Sequence, residues 1–404
     1  MKNNPKTCDF LIIGGGVLGL NIALALKRRY PDTDVVLLEK EEKFANHASG
    51  RNSGVLHAGF YYDADSFKAR FTKAGNKILT QYCLDKKLRI NRCGKLVVAK
   101  NEQDLKGLKE LARRGRVNGI ELHELDIRQA REIEPKVKTV EQALFSPETA
   151  VVDPVEVVNS LVKDARAANI ECLSGTRYLK HKNKIVRTSQ GLIEAKYVVN
   201  TAGLYADKIA RDFGFSKNYK ILPFKGLYLY SNLPPGALRT HIYPVPDLDY
   251  PFLGVHYTVT VDGKIKIGPT AIPAFWRENY SGFENFNLAE FIQVLSSEMQ
   301  LFVNSKFDFK KVAFTEARKM FRRHLVRQAS YLLEGVRPRD YTRWGEPGIR
   351  AQLYDIREKK LVMDFCLEGD DQSFHVLNAV SPAFTASMPF SEFICDEIGK
   401  RLLK

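Results

Sequence analysis

Residues 9–39, DFLIIGGGVLGLNIALALKRRYPDTDVVLLE, decide the fold. DFLII reads as a buried strand, GGGVLGLNIALALKRR as a tight turn opening into a helix, YPD as a break, and VVLLE as a second buried strand. Gly14, Gly16 and Gly19 therefore stand as G-x-G-x-x-G between strand and helix, and Glu39 closes the next strand. In such a βαβ unit Gly14 permits the turn, Gly16 lets a pyrophosphate approach the helix N-terminus, and Gly19 lets helix and strand pack closely. Val17, Leu18 and Lys40 flank the same turn, and the Glu39 carboxylate suits a ribose diol. The apolar run from Phe10 to Leu26 also resembles a signal peptide or a short anchor. Three adjacent glycines interrupt it, and it falls short of the roughly 20 residues that a membrane span requires.

The chain has 404 residues, of which 44% are hydrophobic, enough for two domains or one large interleaved unit. Its six cysteines form no metal-ligand spacing and read as reduced thiols of a cytosolic protein; no metal is expected. The net charge of +15 favours anionic partners, and part of it is clustered as RRGR at 113–116 and FRRHLVR at 321–327. Neither cluster sits in a nucleic-acid-binding motif, so no nucleic-acid partner is expected.

A dinucleotide signature does not choose between NAD and FAD. Two late segments do. KYVVNTAGLYAD (196–207) is strand-like and ends at the small, polar Thr201, Ala202 and Gly203. FHVLNAVSPAFTAS (374–387) runs from a strand through Ser381 and Pro382 into a helix expected to start near Thr385. Helix starts of this kind expose amide donors that suit an anion or a flavin carbonyl. Segments returning to the first unit so late in the chain suit FAD, whose ring must reach a separate substrate domain.

The chain resembles the L-2-hydroxyglutarate dehydrogenase/oxidase family of the D-amino-acid-oxidase-like FAD oxidoreductases. The pieces that carry the likeness include GGGVLGL, HASGRNSGVLHAGFYY, NTAGLYAD, LPFKGLYL, GIRAQL and LNAVSPAFTAS; Phe384 departs from the smaller residue usual there. The resemblance implies an α/β (α+β) architecture. A discontinuous Rossmann-type FAD-binding domain would comprise 1–85, 142–214 and 333–404. A substrate domain on a mostly antiparallel sheet would take 86–141 and 215–332. Independently, GVHYTVTVDGKIKIGPT breaks at Asp262-Gly263 like a hairpin, and 287–303 has helical spacing that puts Phe291, Val294, Leu295 and Phe302 on one face.

In this architecture GRNSGVLHAGFYY (50–62) would run along the flavin path. Ser49, Arg51, Asn52 and Ser53 would donate to phosphate or flavin heteroatoms. The resemblance also implies non-covalent FAD and oxidation of L-2-hydroxyglutarate, with electrons passed to a quinone, a carrier or oxygen. Such a reaction needs a base and an anion clamp. His57 and His256, each in an apolar and glycine-containing stretch, are the candidate bases. Arg350 and Lys225 are candidate carboxylate ligands, with Tyr61, Tyr62 and Gln352 as polar wall. The basic segment KKVAFTEARKMFRRHLVRQASYLL (310–333), with Phe314, Met320, Phe321 and Leu325, is a candidate interfacial helix. It would place a cytoplasmic protein peripherally on the inner face of the membrane. An amine oxidase of the same superfamily and a flavin-binding nucleic-acid-associated protein are the competing expectations.

Overall fold

The structure is a computed structural model that describes residues 4–246, 254–304 and 315–403. Strand β1 (Lys6–Ile13) leads into helix α1 (Val17–Arg29) and strand β2 (Val35–Leu38), as the opening stretch predicts. α1 buries residues almost all round its axis, Leu20, Ile22, Ala23 and Leu26 among them. An all-round apolar helix must be covered on several sides. Here β1 and β2, the Pro154–Ala167 helix and the C-terminal helix Ala383–Leu402 do so. Leu20→Ala would leave a cavity in this layer and cost about 2–5 kcal/mol.

The first sheet is parallel at its centre. Glu171–Leu173, β2, β1, Gly191–Asn200 and Ser373–Asn378 lie side by side in that order. That is the 3-2-1-4-5 order of a dinucleotide fold, with the third and later strands drawn from distant parts of the chain. Antiparallel strands Tyr178–Lys182, Ile185–Thr188 and Cys366–Gly369 extend it.

The second sheet has eight strands. Its centre is Leu229–Ser231, Ile265–Gly268, His256–Val259, His241–Pro244, Lys95–Val98 and Gln142–Ser146, antiparallel except for one parallel pair. The hairpin turns at Asp262-Gly263, as expected. Gln142–Ser146 and Tyr341–Trp344 pair into this sheet, although the division read from sequence groups both with the cofactor part. A smaller sheet pairs Tyr219–Gly226 with Gly348–Asp355, and so sets Arg350 opposite Phe224.

The helix at Leu288–Asn304 forms, but its buried residues differ from the expected face. Glu290, Val294 and Ser297 are buried, while Leu295 is exposed with Leu288, Ile292 and Met299. The Phe302 side chain lies outside the described residues. The expected interfacial helix is not continuous either: helix stops at Arg318, a turn follows, and a new helix runs from Arg322 to Ala329. Leu325 of that helix is in the core of the second sheet, Met320 and Phe321 are exposed, and Phe314 lies outside the described residues.

An Arg–Asp ion pair is fully sealed inside. Arg277 bonds the Asp207 carboxylate twice, at 2.6 and 3.0 Å, and also the Leu204 carbonyl. It ties the turn after Gly191–Asn200 to the loop before the Leu288 helix.

Candidate active site

An elongated cavity of about 810 Å³ runs along the open ends of the first sheet toward the second. Its lining joins the glycine turn, Glu39 and Lys40, most of residues 45–57, Thr201–Tyr205, Gly348–Ala351, Val376, Leu377 and Ala379–Thr385. Every residue expected to hold the cofactor lines it except Gly19.

Gly19 instead enforces the turn. A Cβ there would sit 2.0 Å from the Gly14 carbonyl oxygen. Gly14 itself has φ +112°, and its added Cβ would lie 2.6 Å from the Thr201 oxygen. The two strand ends therefore touch through backbone alone. Ser49 Oγ accepts from the Val17 amide at 3.0 Å, and Glu39 accepts from the Gly15 and Glu41 amides at 3.2 and 3.0 Å. Burial raises the Glu39 pKa above the usual carboxylate value, against the Glu41 amide bond. Thr201 gives its hydroxyl to the Ile13 and Gly14 carbonyls. Asn52 donates to the Ala48 and Ser49 carbonyls and accepts from the Gly54 amide. Arg51 bonds the Asn46 carbonyl at 2.6 Å and lies over the Tyr280 ring. Several side chains expected to donate to the cofactor thus brace the loops around it.

Lys40 bonds both Glu41 and Glu278, and His47 Nε2 lies 2.9 Å from Glu41. Against the cost of burial, the Lys40 and His47 bonds hold the Glu41 carboxyl at about 2. Of these, Lys40 was expected from the sequence, whereas Glu41, His47 and Glu278 were not singled out.

His57 is buried on the same cavity. Its amide donates to Thr385 Oγ1 at 3.2 Å, and that hydroxyl reaches the Val55 carbonyl at 3.3 Å. The C-terminal helix begins at Ala383, two residues before the expected start, and its Thr385 fixes the base candidate. Nδ1 of His57 is sealed without a partner among the described residues, so Nε2 is the nitrogen toward the cavity. Burial, then the nearby Lys95, His256 and His241, push its pKa well below the ordinary imidazole value. It is a neutral ring, able to accept a proton.

Arg350 also lines the cavity. Tyr62, Tyr228 and Lys68 lie near enough to feel its charge, and burial lowers its pKa. The other expected catalytic residues do not line the cavity. Lys225 bonds Asn279 Oδ1 at 3.2 Å, and Gln352 bonds the Val362 carbonyl. His256 stacks on Tyr243 with centroids 3.8 Å apart and bonds the Gly254 carbonyl. Tyr61 and Tyr62 lie behind the cavity, with Tyr61 stacked on Phe60.

Behind the 53–62 segment lies one face of the second sheet. Strand alternation puts Leu96, Ile242, Tyr257, Ile265 and Ile267 on its apolar face. The other face carries Lys95, His241, Tyr243, His256, Thr258 and Lys266, all buried, and Glu124 and Asp126 share it only at the exposed edge strand. Lys266 reaches the Ser53 carbonyl at 3.4 Å and lies over the Tyr228 ring. Burial lowers Lys266 to about 8 and both His241 and His256 to about 3. The alternation in HYTV and KIKIG was visible as strand, but not as a polar interior.

The family model for FAD dependent oxidoreductases matches residues 9–396. An L-2-hydroxyglutarate dehydrogenase of Indibacter alkaliphilus is 36% identical over 97% of this chain and 98% of its own. The mitochondrial one of Bos taurus is 34% identical over 99% and 90%. Among solved structures, the FAD-bound L-alpha-glycerophosphate oxidase of Mycoplasma pneumoniae superposes with TM-score 0.76 at 21% identity, over 98% of this chain and 95% of that one. The glycine oxidase of Geobacillus kaustophilus superposes with TM-score 0.72 at 16% identity, over 98% and 95%. With a backbone-only glycine cradle, an acid at the second strand and a cavity leading from them to a buried histidine and arginine, the chain belongs to the L-2-hydroxyglutarate dehydrogenase family of FAD dependent oxidoreductases.

Proposed function

We propose that the chain oxidises L-2-hydroxyglutarate to 2-oxoglutarate. The observation that carries this reading is a neutral, buried His57 on one cavity with Arg350, in surroundings rich in cations. The glycine turn, Glu39, Ser49 and the Ser381–Thr385 helix start would hold FAD, which would supply the hydride acceptor. His57 Nε2 takes the hydroxyl proton as C2 gives up its hydride. The hydroxy acid becomes a ketone, one proton rests on the imidazole, and two electrons leave with the hydride. Arg350 offers a planar fork to a carboxylate. Lys68, brought to about 8 mainly by burial, and Lys266 add positive potential that favours a dianion.

Anaerobic addition of L-2-hydroxyglutarate to the purified yellow protein is the test. The flavin band should bleach with this substrate and stay with a panel of amino acids. The reverse pattern would make the chain an amine oxidase.

We propose a membrane quinone as the electron acceptor. No helix among the described residues is long and apolar enough to cross a membrane. Instead Leu288, Ile292, Leu295 and Met299 form an exposed apolar stripe beside the exposed Phe275, Phe283 and Phe286. Such a surface suits contact with an anionic membrane when basic residues lie near. The protein should sediment with anionic vesicles at low salt and be released as salt rises; no sedimentation would point to a carrier or oxygen.

A further inference from the structure

The second sheet buries a lysine that the reaction described so far does not use. Lys95 is 0% exposed, and its Nζ has no hydrogen-bond partner among the described residues. Three aromatic rings enclose it: Tyr61 at 4.5 Å, Phe60 at 4.7 Å and Tyr243 at 5.0 Å to their centroids. A buried ammonium normally has a carboxylate or several acceptors. This one has only ring faces, which attract a cation but accept no ordinary hydrogen bond. Tyr61 Oη is sealed and unpartnered as well, and so is His57 Nδ1. Phe60 and Tyr61 follow His57 closely in the chain, so the walls of the lysine cage and the imidazole belong to one segment.

We propose that Lys95 is a positioning residue for the proton step, an amine whose charge and that of His57 exclude one another, so that His57 stays a free base until substrate gives it a proton. This rests on His57 as the base. The physical reason is the shared low-dielectric interior, in which two like charges with no counter-ion cannot both persist. Before turnover Lys95 carries what positive charge the interior tolerates, and His57 is neutral. When the substrate O–H bond breaks and its proton moves to His57 Nε2, the field at Lys95 favours loss of a proton from Nζ to water. The proton count is conserved: one arrives at the imidazole and one leaves the amine. The titratable groups that face His57 are Lys95, His241 and His256, all from the second sheet. The C-terminal helix presents uncharged Thr385, and the Phe67–Asp85 helix presents uncharged Asn76, which bonds the Leu56 carbonyl. Burial holds Lys95 at about 7, the range in which such an exchange can respond to one nearby proton.

The test is the pH profile of anaerobic flavin reduction by L-2-hydroxyglutarate in the holoenzyme. Removing the repelling ammonium raises the pKa of His57, and a base fails below its pKa. Lys95→Met should therefore move the acid limb of the profile upward by roughly one pH unit, with FAD content unchanged and thermal stability equal or higher. Lys95→Arg, which keeps its charge at every pH of interest, should leave the limb at or below the parent's. A Lys95→Met limb that superposes on the parent's overturns the proposal, as does an Arg variant shifted upward like Met. If Lys95→Met does not fold, Lys95→Gln takes its place, with the same upward shift expected and a superposed limb overturning the proposal. Failure of the underlying reading looks different: His57→Ala would then keep both the rate and the limb.

Discussion

The glycine turn lines the cavity, the polar face of the second sheet lies behind the segment that carries His57 into it, and the two regions treat polar groups differently. At the turn, side chains are tied to backbone. Thr201 bonds Ile13 and Gly14, Ser49 takes the Val17 amide, Asn52 closes its own loop, and Glu39 holds two amides. On the sheet face, Lys95 Nζ, Tyr61 Oη and His57 Nδ1 have no partner among the described residues. A cofactor that stays needs a rigid cradle, and rigidity comes from satisfied hydrogen bonds. A substrate that changes protonation needs groups whose state is still open. The difference separates a holding surface from a reacting one.

The strongest way to break that comparison is His57→Ala. It should lower the rate of flavin reduction by about 10²–10⁴-fold with FAD content near normal, read by stopped-flow absorbance. A loss of FAD instead would make the imidazole part of the cradle. Arg350→Lys keeps a charge but loses the fork. A lost charged hydrogen bond of about 1.5–3 kcal/mol implies a fall in kcat/KM of roughly ten- to a hundredfold, with melting temperature unchanged. Glu39→Ala should act on the other side only. It should weaken FAD by about 1–3 kcal/mol, measured by titrating apoprotein, and leave the reduction rate of the loaded enzyme intact.

The smallest effect concerns acid. His241 and His256 are buried and neutral, with pKa about 3 against 6.5 unfolded. The unfolded chain binds more protons between these values, so stability falls as pH drops from 6.5 toward 3. His256→Phe should flatten the fall of melting temperature with acid over that window. An unchanged slope would place the acid sensitivity elsewhere.

Much of the cradle was legible because glycine spacing, strand, helix and acid fall within residues 9–39, and local chemistry sets local geometry there. The late strands were readable too, since Asn200 and Asn378 each end an apolar run at a polar turn. The reacting side was less so. His57 stood out by its setting, but Lys95 in GKLVVAK reads as one more lysine of a basic chain. Its meaning comes from cross-strand register and a distant segment: His241 pairs Lys95, and Phe60 and Tyr61 close over the lysine. Pairings between residues so far apart in sequence leave no local periodicity. For the same reason Lys225 and His256 stayed candidates beside Arg350 and His57 until the sheets placed them off the cavity. Leu295 was misassigned because its helix carries apolar residues on its exposed side as well.

The hydroxyl of Thr385 holds the His57 amide, and it sits in the first turn of the last helix. During synthesis the glycine turn, His57, Lys95 and Arg350 are all made before that helix. A chain stopped short of Ala383 would own almost every group named above and still lack the latch that sets the imidazole. Late nonsense or frameshift changes should therefore behave as complete losses rather than mild ones, and a separately supplied C-terminal helix could serve as the second half of a split enzyme.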